Sequence, residues 1–148
     1  MTRATKPVMS AAEVDAYLAE VFPQMQEGER GTRTEEVGPM RARLRLSFAE
    51  RNLRPGGTIS GPAMMGLADH AMYAAILAHI GKVALAVTTN LTINFMRKPA
   101  PGDLLAEARI MKLGQRLAVG DVTIWSEGEE GRPAAHAQVT YSIPPEKS

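Results

Sequence analysis

The chain has 148 residues, a formal net charge of +1 and no cysteine. That length fits one domain, 1–148, able to bury a core unaided. The missing cysteine excludes disulfides, thiolate zinc sites and a cysteine nucleophile, and the near-neutral charge argues against a general nucleic-acid binder, which carries a marked basic excess.

Along the chain, Glu13, Asp15 and Glu20 interrupt the N-terminal segment, which lacks the sustained apolar stretch of a secretion signal. No apolar run is long enough to span a membrane as a helix. A soluble, cytoplasmic protein is the expectation. Ser10 with Glu13 forms a capping-box pattern, and Val14, Tyr17, Leu18, Val21 and Phe22 recur at helical spacing until Pro23. This predicts an amphipathic helix over about 10–22. Residues 27–39 are charged and Gly-rich and read as a loop, or as a weak first strand over Thr32–Val37. From Met40 the period becomes two: Met40, Ala42, Leu44, Leu46 and Phe48 alternate with Arg41, Arg43, Arg45 and Ser47. A half-buried strand over about 40–48 is expected, its arginines read first as a solvated face rather than an anion site.

The Pro- and Gly-rich stretch RNLRPGGTISGP is a loop. Ser60 is a candidate N-cap and Pro62 sits where a missing N–H costs nothing, so a helix over about 61–80 follows. It is apolar on nearly every side, as in a buried helix, and its Gly66, Ala68, Ala71, Ala74 and Ala75 permit close approach of another element. His79 reads as a partly exposed helix-end residue. Strands are expected over about 83–96, 103–113, 117–126 and 134–143, with short turns between them, and PPEKS is a tail. Four successive strands with such turns point to an antiparallel meander. One sheet curling around one apolar helix is an α+β architecture.

The helix carries one acid in this apolar setting, Asp69, which is either functional or a structural or solvated carboxylate. At the helix start, the N–H groups of Ser60, Gly61 and Ala63 point outward with partial positive charge and suit a developing oxyanion. Gly61 and Asp69 stand about 12 Å apart along one helix, too far to share one carbonyl. Two antiparallel copies related by a two-fold axis near Met65 would bring residue 69 of one opposite residue 61 of the other. The three histidines, His70, His79 and His136, lack metal-ligand spacing, and neither a G-x-S-x-G elbow nor a phosphate-binding G-x-x-x-x-G-K-[ST] occurs. No metal is expected.

The segments NLRPGGTISGPAMMGLADHAMYAAI and AVTTNLTINFMRKPAPGDLLAEARIMKLGQRLAVGDVTI resemble the PaaI branch of the hotdog-fold acyl-CoA thioesterases, over roughly Met40 to Ile143. The resemblance implies a hotdog fold, an antiparallel β-sheet wrapped around a long central α-helix. It also implies a homodimer that commonly pairs into a homotetramer, an acyl-CoA substrate, and no cofactor beyond the coenzyme A carried by that substrate. Carried over, Asp69 is general base or nucleophile, Gly61 of the twin subunit polarises the carbonyl, and Thr88 helps to hold the attacking water. The family's His-Gly-Gly is Ser60-Gly61-Pro62 here, and its upstream Asn position holds Arg54, with Asn52 nearby to serve instead. Arg54 could bind a carboxylate or phosphate of the ligand. Arg97, Lys98 and Arg116 suit the phosphates of coenzyme A by charge, and Met64, Met65, Met72 and Tyr73 suit either an acyl pocket or core packing. The alternatives to hydrolysis are a non-catalytic acyl-CoA binder and an enoyl-CoA hydratase or dehydratase, the latter needing a His beside the acid, for which His70 is the one candidate.

Overall fold

A computed structural model describes residues 5–23 and 31–145. The loop positions 27–30 and the tail residues 146–148 lie outside the described residues. The elements run α1 (Ala11–Val21), β1 (Thr32–Gly38), β2 (Arg41–Leu46), a 3-10 turn (Glu50–Asn52), α2 (Gly61–Ile80), β3 (Val87–Phe95), β4 (Leu104–Leu113), β5 (Leu117–Ser126) and β6 (Ala135–Ser142).

Helix α1 starts where its reciprocal cap forms: the Glu13 N–H donates to Ser10 Oγ (3.2 Å) and the Ser10 N–H donates to Glu13 Oε1 (2.9 Å). Its inner face buries Val14, Tyr17 and Leu18. Asp15 ties it to β1, accepting from the Thr34 N–H (2.9 Å) and the Thr34 hydroxyl (2.6 Å). The stretch around Thr32–Val37, left open between loop and strand, is therefore a full strand, paired with β2.

The six strands form one antiparallel sheet in the order β1-β2-β4-β5-β6-β3. This corrects the expected meander of four successive strands. Of those four strands only β4, β5 and β6 are sequential neighbours; β3 lies at the far edge beside β6. A short turn did not mean adjacency because residues 96–103 are not a hairpin. Eight extended residues reach more than about 25 Å, and the three strand spacings from β3 to β4 amount to only about 14 Å. This crossing loop is held at both ends. The N–H groups of Met96 and Arg97 share the Ala134 carbonyl (2.7 and 3.1 Å), and Asp103 accepts from the Phe48 N–H (2.7 Å) and from Arg45 (3.0 Å). In its middle, the Pro99 carbonyl accepts from the Ile59 N–H (3.1 Å), which seats the loop against the start of α2.

The strand expected from 83 begins only at Val87. Residue 84 is diverted from the ladder by two tyrosines: the Tyr73 hydroxyl donates to its carbonyl (2.7 Å), and its N–H donates to the Tyr17 hydroxyl (3.1 Å). The strand expected from 40 begins at Arg41, because Met40 takes φ 59° in the β1–β2 turn. That turn explains His79, which is buried rather than partly exposed. Its Nε2 accepts from the Met40 N–H (2.8 Å), so its Nδ1 carries the proton and donates to the Ala75 carbonyl (2.7 Å).

The core lies between α2 and the concave face of the sheet. From Leu67 to His79 every residue of α2 except Asp69 is buried. Gly120 of β5 is required there: a Cβ at that position would stand 2.6 Å from Met72 Cε and closer still to the Arg109 carbonyl. On the convex face the arginine row is neutralised rather than merely solvated. Arg45 binds Glu35 and Glu127 (2.6 Å each), Arg43 binds Glu107 (3.1 Å) and lies over Trp125, and Arg41 binds Glu36 (3.1 Å).

Candidate active site

Asp69 is part-exposed on a stripe of α2 that the protomer leaves open: Pro62, Met65 and Gly66 are exposed, and the spacing 62, 65, 66, 69 is one helix face. Two hydroxyls converge on one of its carboxylate oxygens. Thr88 donates to Oδ1 at 2.6 Å, and Tyr141 donates to the same atom at 2.8 Å while standing 3.2 Å from the Asp69 carbonyl oxygen. Oδ2 has no hydrogen-bond partner among the described residues.

Thr88 reaches Asp69 because of an irregularity. The β3–β6 register shifts between Thr88 and Asn90, so Thr89 is the extra residue. Thr88 consequently faces the same side as Leu91 and Ile93, where strict alternation would have turned it outward. The single Thr88 proton is committed to Asp69, so this hydroxyl orients the carboxylate and has only lone pairs to offer a water.

Tyr141 was missed from the sequence. It is buried, stacks on Tyr73 (centroids 5.8 Å apart, planes 12° apart) and pairs across the ladder with Thr88. Burial, and then the nearby charge of Asp69, hold its hydroxyl well above the usual phenol range, which keeps it a donor.

At the start of α2 the donors sort themselves. The Ser60 N–H donates to the Asn52 carbonyl (2.7 Å), and the Ala63 N–H donates to Ser60 Oγ (3.2 Å). Pro62 has no N–H. The Gly61 N–H is left without a hydrogen bond among the described residues. Ser60 is thus a helix cap.

Gly61 lines a cleft of about 480 Å³ together with Arg54, Met64, Phe95, Arg97 and Lys98. The crossing loop brings the two cations of β3's end here, and the turn Arg54–Gly57, with Gly56 at φ 101° and Gly57 at φ 78°, brings the third. Asn52 faces a different cleft, with Pro62, Gly66 and His70. The other expected ligand-binding residues are dispersed. Met65 is on the open stripe, Tyr73 is buried with its hydroxyl committed to residue 84, Met72 is in the core, and Arg116 is exposed in the β4–β5 turn. His136 bonds Asp121 (2.9 Å) on the sheet surface. Among the described residues no group of three or more His, Asp or Glu could hold a metal ion, and no helix is long and apolar enough to cross a membrane.

A long helix against the concave face of one antiparallel sheet is the hotdog fold, an arrangement found in thioester hydrolases. Comparison with known proteins agrees. Residues 56–132 match the thioesterase superfamily, and the chain belongs to that family. A Silicibacter protein whose crystal structure is reported as that of a candidate thioesterase is 49% identical with a TM-score of 0.87, covering 98% of this chain and 99% of the other. A candidate esterase of Saccharolobus solfataricus is 30% identical over 121 residues, 80% of this chain and 77% of its own. A mutant of the phenylacetic acid degradation protein PaaI from Thermus thermophilus shares the fold at a TM-score of 0.70, with 24% identity over 82% of this chain and 99% of the other.

Proposed function

We propose that the protein hydrolyses an acyl-CoA thioester in a site shared between two copies, with Asp69 as general base or nucleophile and Gly61 of the partner subunit as oxyanion donor. The observation that carries this reading is the asymmetry of Asp69. Thr88 and Tyr141 both hold Oδ1, which fixes the carboxylate and leaves Oδ2 to act, on an open helix face. The Gly61 amide, on the same helix, is a donor without a partner among the described residues. The two are separated by about 12 Å along it, and Met65 lies midway. Antiparallel pairing about Met65 brings each acid to its twin's amide. Met65, Val87 and Phe95 are large apolar side chains left exposed, and among the described residues β3 has a neighbour on one side only. That is the surface such a pairing covers.

In the general-base route a water attacks the carbonyl carbon and gives its proton to Oδ2. The oxyanion forms against the Gly61 N–H. The C–S bond then breaks, and the thiolate leaves and takes a proton as free coenzyme A. In the nucleophile route Oδ2 attacks, coenzyme A leaves, and water hydrolyses the anhydride. The cationic cleft beside Gly61 suits the phosphates of coenzyme A. A hydratase reading lacks its acid–His pair, since His70 makes no hydrogen bond to Asp69 among the described residues.

The test is release of free thiol from a panel of acyl-CoA esters by wild-type protein and by Asp69→Asn and Asp69→Ala, with solution mass measured alongside. Loss of activity by about 10²-fold or more with the oligomer intact supports the assignment. Full activity in either variant, or a fully active monomer, refutes it.

A further inference from the structure

Two clefts flank the beginning of α2. Gly61 lines the cationic one, while the next two residues, Pro62 and Ala63, line the other, which encloses about 250 Å³ between α2, Leu46 of β2 and the loop before the helix. A thioester whose carbonyl oxygen meets the Gly61 amide has two substituents, one carrying the anionic nucleotide and one the acyl group. Three cations face the first cleft. The second has an apolar floor of Leu46, Ala63 and Leu67, with one exposed cation, Arg51, in its lining, and over Gly66 it is open in the single protomer: a Cβ there would meet nothing within 4 Å.

The second cleft is not a plain hydrocarbon slot. Asn52, Thr32 and His70 also line it. His70 is 3% exposed, and its Nε2 is a buried polar atom without a hydrogen-bond partner among the described residues. Its ring is neutral near pH 7, because burial pushes it down to about 4. A neutral imidazole can donate to or accept from a ligand oxygen, according to its tautomer. A bare alkyl chain would leave the His70 ring unpartnered, whereas an oxygen-bearing chain that reaches it offers the missing partner.

We propose that this cleft receives the acyl group, and that His70 makes it selective for acyl groups carrying a hydroxyl or keto oxygen beyond the thioester carbonyl. The proposal rests on the thioesterase reading above for the placement of the carbonyl.

The test pairs acyl-CoA esters matched in length, with and without a 3-hydroxyl, and their non-hydrolysable thioether analogues. kcat/KM is measured on the esters, and Kd of the analogues by calorimetry. Wild-type protein favours the hydroxylated member by on the order of tenfold in both measurements. His70→Leu brings the ratio to about one by weakening the hydroxylated member alone. Gly66→Leu, at the open side of the cleft, lowers kcat/KM for the longer acyl groups more than for acetyl-CoA at unchanged oligomer mass, and so tests the cleft should the His70 variant fail to fold. Wild-type indifference to the hydroxyl, an unchanged ratio in His70→Leu, or an equal loss for all chain lengths in Gly66→Leu overturns the proposal. The two readings fail separately. A tenfold analogue preference without turnover upholds the cleft and sinks hydrolysis, while turnover that depends on Asp69 without any preference does the reverse.

Discussion

The buried imidazole of His70 makes a prediction about stability that is independent of any substrate. The ordinary value of 6.5 applies to the unfolded chain, and burial holds the folded group at about 4. Above pH 6.5 neither state takes a proton there, and the contribution to stability is complete. As pH falls below 6.5 the unfolded chain binds a proton that the folded one refuses, so stability drops by about 1.4 kcal/mol per unit. The loss is about 2 kcal/mol at pH 5 and about 3 kcal/mol by pH 4. His70→Leu removes the titrating group, and it replaces an unpartnered polar ring with an apolar side chain, a change that is nearly neutral or stabilising at pH 7. Other acids titrate in the same range, so the informative quantity is a difference of differences. Urea unfolding of wild type and variant at pH 7 and pH 5, at one protein concentration, gives it directly. The variant loses about 2 kcal/mol less between the two pH values than wild type does. Equal losses would mean that His70 is solvated or paired in solution, and the reasoning would be wrong.

Tyr141→Phe keeps the stack on Tyr73 but removes one donor from Oδ1. With a charged acceptor worth about 1.5–3 kcal/mol, kcat falls by roughly tenfold to a hundredfold at unchanged KM, and a rise in KM alone would argue for a structural role. Met65→Glu places like charges at the proposed two-fold axis. Its mass by light scattering shifts to the monomer and thiol release is lost, whereas an active dimer would exclude the shared site. Gly120→Ala drives a methyl group into the Arg109 carbonyl and Met72, and costs about 1–3 kcal/mol in denaturant unfolding; a neutral result would show that β5 can move away from α2.

Both helices could be read from the sequence because their signals are local. Ser10 and Glu13 cap one, and Ser60 and Pro62 open the other. Strand positions were local too, alternation marking the one after Met40 and β-forming residues between turns marking the later four. Strand order was not, because it depends on where a loop goes, and the length of 96–103 permits a crossing as readily as a turn. That one ambiguity hid Tyr141. With β3 placed beside β4, nothing brings residue 141 near Thr88, while the observed register sets the two opposite each other. Thr88 itself came through family likeness; alternation from Leu91 and Ile93 would have selected Thr89, and the bulge reverses this. His79 was misjudged because its partner, the Met40 N–H, lies across the fold in a turn whose positive φ no local pattern announced.

The seating of β3 against β6 also orders events while the chain is being made. Domains tend to fold as they leave the ribosome, N-terminal parts first. Asp69 and Thr88 emerge early, yet β3 has no ladder to join until residues 135–142 have followed, and Tyr141 is in that last strand. A nascent polypeptide halted before β6 therefore displays an unpaired strand of Val, Thr, Leu and Ile beside an unfinished acid. Truncation products that lack the final strand leave both β3 and Asp69 without the partners it supplies.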